Sequence, residues 1–122
     1  MPKPTEFVTA TPVLASLNIK RSVEFFCSKL GFTKIHEEQG TYGIVSSGSV
    51  SIHFWACADP KIAEATACRV GVRGIEQLYG QCVKSGIVHP NAPLATAPWG
   101  NHEFAILDPD GNLVTFYEPA DA

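Results

Sequence analysis

The chain has few charged residues, no long apolar run and only a small excess of acidic side chains. Charged residues make up 17% and hydrophobic residues 45% of the 122, a balance that excludes an intrinsically disordered chain. No apolar run approaches the ~20 residues that span a bilayer, and the N-terminal MPKPTEF lacks the apolar core of a signal peptide. The nine basic residues are scattered, and the net charge is −3. We expect a single domain over residues 1–122, with neither a nucleic acid nor a membrane as partner.

Cysteine is also scarce, and its spacing argues against a covalent or metal framework. The four residues, Cys27, Cys57, Cys68 and Cys82, form no C-x-x-C pair. This pattern favours reduced thiols that pack as small apolar groups in a cytoplasmic protein. Disulfides or a zinc site are the less favoured alternative.

The short motifs of common catalytic sites are missing as well. The chain has no glycine-rich phosphate loop, no G-x-G-x-x-G and no G-x-S-x-G nucleophile elbow. Its histidines show neither H-x-H nor H-x-x-x-H spacing. These absences favour a binding protein over an enzyme.

What the chain does contain is one strand–helix–strands pattern that occurs twice. The first copy has a strand at Phe7–Ala15 and a helix that Asn18 caps and Gly31 ends, followed by three strands near 32–37, 41–46 and 50–55. The helix has Val23 and Phe26 on its apolar face. Residues 57–66 show no strong period, and we interpret them as a linker.

The second copy repeats that order from residue 67 onward. Cys68–Arg73 alternates as a strand, the next helix ends at Gly86, and 89–98 is too rich in proline for a long helix. The local match of C-x-K-x-G-F at 27–32 with C-x-K-x-G-I at 82–87 supports a duplication. We therefore predict an α+β fold of two βαβββ modules and eight strands. Module one covers about 7–56, and module two about 67–118.

The segment PWGNHEFAILDPDGNLVTFYE, from Pro98 to Glu118, is the most informative block of the sequence. Apolar runs at Glu103–Leu107 and Leu113–Tyr117 flank a D-P-D-G-N turn, which predicts a hairpin. Phe104 and Phe116 alternate with small or polar residues and are expected in the core. The block also sets an unusual Trp-Gly turn just ahead of the first strand.

Three stretches carry a resemblance to a known family. They are T-P-V-L with S-V-E-F-F and L-G-F at 11–32, P-W-G-x-x-E-F-A at 98–105, and D-P-x-G-N-x-V-x-F at 108–116. The chain resembles the vicinal-oxygen-chelate, or glyoxalase-like, superfamily, and the P-W-G-x-x-E-F-A block is similar to the bleomycin resistance proteins within it. The resemblance implies a homodimer with two ligand crevices at the subunit interface, often with exchanged N-terminal strands. It also implies sequestration of bleomycin-type glycopeptides without chemistry, with no cofactor beyond copper carried by the ligand.

Metal-dependent members of the superfamily place ligands at four strand positions, and the resemblance transfers them to Thr11, His53, Ala67 and Thr115. Only one of these is a good donor, since alanine has no ligand atom and a threonine hydroxyl is a poor one. A metal-dependent lyase or dioxygenase is therefore the alternative, and it requires a shifted register.

The candidate ligand-binding residues are mainly aromatic. Trp99, beside the flexible Gly100, matches the family tryptophan that stacks on the planar tail of the drug, although it could instead cover the dimer interface or the core edge. Tyr42 falls where the family has an aromatic in the same crevice, with ordinary cross-strand packing as the alternative.

Strand alternation adds a second group of candidates. His53 and Trp55 alternate with Ile52 and Phe54, so we expect the first two on the ligand side and the others in the core. Burial against a partner subunit is the alternative for His53 and Trp55. Phe32 is a weaker candidate, since it would share a face with His36. Cys68 stands where related proteins have a tryptophan, so another flat aromatic metabolite remains an alternative ligand.

Overall fold

Two four-stranded sheets, each formed by one half of the chain, make up the fold. The computed structural model describes residues 2–120. The first half contains β1, α1, β2, β3 and β4, at Val13–Ser16, Ile19–Leu30, Thr33–Glu38, Tyr42–Ser47 and Val50–Ala56. A short helix, α2, follows at Pro60–Glu64. The second half contains β5, α3, β6, β7 and β8, at Ala67–Gly71, Ile75–Lys84, Ala95–Thr96, Asn101–Leu107 and Leu113–Pro119.

Both sheets have the same strand order, which confirms the predicted duplicated α+β fold. The orders are β1-β4-β3-β2 and β5-β8-β7-β6. In each sheet the first strand runs parallel to the fourth, and all other neighbours are antiparallel. The parallel strand pairs also match in register. Val13 pairs with His53 in the first sheet, and Arg69 pairs with Thr115 at the matching positions of the second.

Helix α1 begins and ends where its capping residues predict. The Asn18 side chain accepts a hydrogen bond from the Arg21 N–H at 3.0 Å, and Gly31 ends the helix in the left-handed region at φ 73°. Val23 and Phe26 are buried as predicted. The helix therefore packs its apolar face against the first sheet.

Helix α3 is capped from a distant strand instead. Its N-cap, Gly74, has no side chain, and the Glu118 carboxylate of β8 accepts the Gly74 N–H at 3.2 Å and the Ile75 N–H at 3.0 Å. A negative charge at a helix N-terminus also interacts favourably with the helix dipole, whose positive end lies there. Glu118 thus fastens α3 to the second sheet.

Two elements differ from the sequence expectations. The first strand begins at Val13 rather than Phe7, and Phe7 is 97% exposed. Residues 57–66 contain α2, which the Asp59 side chain caps by accepting the Lys61 N–H at 3.0 Å. The Asp-Pro pair was the signal for this helix start, since proline is favoured in the first turn. The proline-rich 89–98 stretch contains no helix, as predicted, and its one strand is the two-residue β6.

The D-P-D-G-N turn between β7 and β8 joins the two halves of the chain. Asn112 Nδ2 donates to the carbonyl oxygen of Ala15 at 2.8 Å. The Asp110 carboxylate accepts the Leu17 N–H at 3.2 Å and pairs with Arg21. Because Asp110 and Asn112 are buried, this polar contact is shielded from water and holds the hairpin against the start of α1.

The core contains the residues that the alternation predicts. Ile52, Phe54, Phe104 and Phe116 are all buried, at 2% exposure or less.

All four cysteines are free, and burial raises the pKa of Cys68 and Cys82 to about 11. No helix within residues 2–120 is long and apolar enough to cross a membrane.

A glycine lets α1 approach β3 closely. A Cβ placed on Gly43 would lie 2.8 Å from Val23 Cγ2 and 3.1 Å from Ile19 Cγ2. Both contacts involve buried branched side chains, which cannot swing away. Residue 43 therefore has no room for a methyl group.

We predict that Gly43→Ala lowers the free energy of unfolding by about 1–3 kcal/mol, because the methyl group overpacks the α1–β3 contact. Denaturant unfolding measures the change. Gly80→Ala is the matched control: a Cβ there meets nothing within 4 Å, so the free energy of unfolding should rise by about 0.5–1 kcal/mol. Equal stability of Gly43→Ala and the parent would contradict the close contact.

Candidate functional site

A tight turn before β7 presents Trp99 to solvent. The Gly100 N–H donates to the Ala97 carbonyl at 2.9 Å, and the Ala97 N–H donates to the Asn101 carbonyl at 2.7 Å. Gly100 has φ 94°, a conformation that strains residues with a side chain. Trp99 is 66% exposed. The turn thus holds a large aromatic ring at the edge of the second sheet.

A carboxylate fixes the edge of that ring. The indole Nε1–H of Trp99 donates to Glu103 Oε2 at 2.7 Å. Glu103 also accepts two bonds from Arg69, Nη2 to Oε2 at 2.6 Å and Nη1 to Oε1 at 3.3 Å. The Arg69 guanidinium lies 4.9 Å from the ring centroid of Tyr117. We call Trp99, Glu103, Arg69 and Tyr117 the Trp99 network.

The strand register brings the network together. Glu103 on β7 pairs with Tyr117 on β8, and Tyr117 pairs with Gly71 on β5. A Cβ on Gly71 would lie 3.2 Å from the Tyr117 ring. The glycine therefore leaves room for that ring to lie across β5, beside Arg69.

Electrostatics favours the ionised form of Glu103. The hydrogen bond from Arg69 lowers the pKa of Glu103 below its usual value, against the opposing effect of burial, and the Trp99 and Asn101 side chains add to the lowering. The same bond with Glu103 raises the pKa of Arg69. The two charges compensate each other, so the network is neutral overall near pH 7.

A cavity of about 310 Å³ lies beside the network. Trp99, Arg69 and Glu103 form one part of its wall. The remaining wall comes from β7, β8 and the proline-rich loop, namely Phe104, Ala105, Leu113, Thr115, His89, Ala92 and Pro93. The cavity offers apolar and aromatic contacts with one internal ion pair.

Three further candidates lie together on the first sheet. Tyr42 Oη and His53 Nδ1 are 2.8 Å apart, and their rings meet edge to face at 5.5 Å. Tyr42 pairs with Trp55 across β3 and β4, and Trp55 is 39% exposed. His53 and Trp55 lie opposite the buried Ile52 and Phe54, as predicted. We call Tyr42, His53 and Trp55 the first-sheet cluster.

Within one chain, the structure does not unite the two aromatic groups. The Trp99 network lies on the second sheet, and none of the cluster residues, all within the described range 2–120, lines the cavity beside Trp99. A single chain therefore presents two separate aromatic surfaces.

The expectation that Phe32 shares a face with His36 is wrong. Phe32 precedes β2 and packs its ring edge to face against the core residue Phe26 at 5.6 Å. A register shift between Lys34 and His36 breaks the alternation, and His36 pairs with Ile44 next to the first-sheet cluster. The irregularity puts the side chains of Phe32 and His36 on opposite faces, because an extra residue in a strand reverses which face of the sheet the following side chains point to.

Sequence reasoning missed Arg69 and Tyr117. Arg69 is 34 residues from Glu103 in the chain, so no local pattern connects them. The alternation of Arg69 with the partly buried Cys68 and the buried Val70 was the available signal, because it placed a cation on the face opposite the core.

The four strand positions that the resemblance assigns to metal ligands do not fit a metal here. His53 lies on the first sheet and Thr115 on the second. Ala67 has no donor atom, and Thr11 and Thr115 offer only neutral hydroxyls. Residues 2–120 contain no group of three His, Cys, Asp or Glu side chains that could hold a metal ion.

Comparison with known proteins establishes the family. The model of the glyoxalase/bleomycin resistance protein/dioxygenase superfamily matches residues 10–116. The chain belongs to this superfamily. Among its relatives, the bleomycin resistance protein of Geobacillus stearothermophilus is 36% identical over an alignment that covers 88% of this chain and 93% of the relative.

Solved structures from the superfamily share the fold. The bleomycin-binding protein from bleomycin-producing Streptomyces verticillus, complexed with copper(II)-bleomycin, superimposes with a TM-score of 0.82 and 26% identity, over 93% of this chain and 97% of that one. A bleomycin resistance determinant encoded on the transposon Tn5 superimposes with a TM-score of 0.78 and 26% identity, over 93% of this chain and 98% of that one.

We predict that the environment of Trp99 stays constant from pH 7 to about 5 and changes only under more acidic conditions. A lowered folded-state pKa means that the Glu103 contacts stabilise the fold above the unfolded-state pKa of about 4.3 and are lost as pH falls through the folded value. Trp99 fluorescence in a Trp55→Phe background measures this, with circular dichroism to exclude global unfolding. Glu103→Gln should abolish the transition, and its persistence there would contradict the assignment.

Proposed function

We propose that this protein binds bleomycin-type glycopeptides and sequesters them without catalysis, which confers resistance. The 36% identical relatives are bleomycin resistance proteins. Two solved relatives at 26% identity are bleomycin-binding proteins in complex with bleomycin or its copper(II) form. The protein needs no cofactor of its own, since the ligand brings its metal.

The observation that carries this proposal is the exposed and anchored Trp99. Its indole is 66% exposed, while its N–H is bound to Glu103 at 2.7 Å. The ring therefore offers its π-face to a planar group at little cost in side-chain entropy. A core tryptophan would be covered, and this one borders a cavity.

The binding unit in this proposal is a homodimer. One chain has its two aromatic surfaces on different sheets, so a crevice with aromatic residues on both walls requires the first-sheet cluster of one copy to face the Trp99 network of another. Two equivalent crevices per dimer then follow from two-fold symmetry. Gly100 contributes through its φ of 94°, which lets the backbone form the Trp99 turn.

Sequestration rather than turnover is supported by the donor set at the four strand positions. Ala67 and two threonine hydroxyls cannot hold a catalytic divalent ion beside His53. The four free cysteines support action in a reducing compartment such as the cytoplasm. No chemical step is therefore assigned to the site.

We predict that metal-stripped protein binds copper(II)-bleomycin with one ligand per chain, and that Trp99→Ala weakens binding by about 1–3 kcal/mol, the range for aromatic stacking on a planar ring. Tryptophan fluorescence and calorimetry measure binding to the copper-loaded and metal-free drug. Trp99→Ala should remain folded, because the side chain is mostly outside the core.

Val83→Ala is the matched control, since Val83 is an exposed apolar side chain on α3 that does not line the cavity beside Trp99. Its affinity should equal that of the parent. Calorimetric silence with both forms of the drug would exclude bleomycin and leave a binder of another flat aromatic compound. Consumption of the drug with turnover would point instead to an enzyme.

A further inference from the structure

We propose that Glu103 is a positioning residue that fixes the plane of the Trp99 ring, and that Arg69 acts on Trp99 through Glu103. For its ligand, this inference rests on the function proposed above. The mechanical part concerns the unliganded protein and stands on the geometry alone.

An exposed tryptophan in a glycine-containing turn would normally sample several rotamers. Here the turn leaves Trp99 66% exposed, so packing does not restrain the ring. The bond from Nε1 to Glu103 Oε2, at 2.7 Å, supplies the restraint. A hydrogen bond to a charged acceptor is about twice as strong as a neutral one.

Glu103 can act as a fixed anchor because it is itself held on several sides. Arg69 binds both of its oxygens, and Asn101 Nδ2 approaches Oε2 at 3.4 Å. The Glu103 side chain is only 13% exposed, whereas that of Arg69 is 49% exposed. The carboxylate thus sits inside the network, and the arginine closes it from the solvent side.

Arg69 is in turn held by the sheet. Its guanidinium lies 4.9 Å from the Tyr117 ring centroid, and Tyr117 lies against Gly71. The contacts run without interruption from the rigid strands β5 and β8, through Arg69 and Glu103, to the indole. A site held by strands is more precise than one held by a loop.

This arrangement also restricts what the site accepts. The indole N–H is already bound, so the ring offers a ligand its face and not a hydrogen-bond donor. Arg69 compensates the charge of Glu103, so a cationic ligand group would gain little electrostatic binding energy at this site. The favoured ligand group is a planar ring that stacks on Trp99.

The first test measures the mobility of Trp99 without any ligand. In a Trp55→Phe background, time-resolved fluorescence anisotropy should show a rigid ring in the parent, fast local motion in Glu103→Ala, and recovered rigidity in Glu103→Gln, which keeps an acceptor oxygen. A ring as rigid in Glu103→Ala as in the parent would overturn the proposal.

Glu118→Ala is the matched control, since Glu118 is also a hairpin carboxylate but caps α3. It should lower thermal stability without mobilising Trp99. If it mobilised the ring equally, the effect of Glu103 would be general loosening of the hairpin, and the positioning role would be lost.

The second test uses copper(II)-bleomycin as the probe. Glu103→Ala should weaken binding about 3- to 10-fold, the cost of ordering one more side chain on binding, with Glu118→Ala unchanged. Arg69→Ala should weaken binding when introduced into the parent protein, but it should weaken binding little further when introduced into the Glu103→Ala variant. Additive effects would show that Arg69 acts independently of Glu103.

The two proposals fail in different ways. If the parent does not bind the drug, bleomycin sequestration fails, and the anisotropy measurement alone decides the positioning role. If the parent binds the drug and Glu103→Ala binds equally well, sequestration stands and positioning is wrong.

Discussion

The buried polar contact between the β7–β8 turn and the start of α1 is the constraint on which the rest of the structure depends. Asp108 accepts the backbone N–H of Asp110 and of Asn112, and Asn112 Nδ2 bridges from Asp108 to the Ala15 carbonyl at 2.8 Å on each side. Breaking one such buried bond leaves an unpaired group at a cost of about 1–3 kcal/mol. Because the turn belongs to one half and Ala15 to the other, this contact sets how the two sheets face.

The two sheets have the same strand order, but different residues at matching positions give them different surfaces. Tyr42 pairs with Trp55 in the first sheet, and at the matching positions of the second sheet Glu103 pairs with Tyr117. The first sheet thus carries an aromatic cluster linked to His53, and the second carries an ion pair that holds a tryptophan from outside the strands. The same backbone frame supplies two surfaces of complementary character.

The Trp99 network shows how a small domain can hold an exposed aromatic ring without burying it. Burial would fix the ring but remove its face from any ligand. A charged acceptor leaves the face free and restrains only the edge, and the entropy of ordering is lost during folding rather than during binding. Arg69 lowers the pKa of Glu103, so the carboxylate stays ionised and the ion pair persists to more acidic pH than an unperturbed glutamate would allow.

The sequence by itself determined the elements: the two repeated modules, the Asn18 and Gly31 caps, the hairpin turn and the alternation that buries Ile52 and Phe54. These follow from periods and capping chemistry within a few residues. Only the tertiary structure decided that Arg69 meets Glu103, that Phe32 joins the core, and that the aromatic candidates divide between two sheets. Each of these depends on pairing register or on a strand irregularity, and register is set by contacts between segments far apart in the chain, which local patterns do not encode.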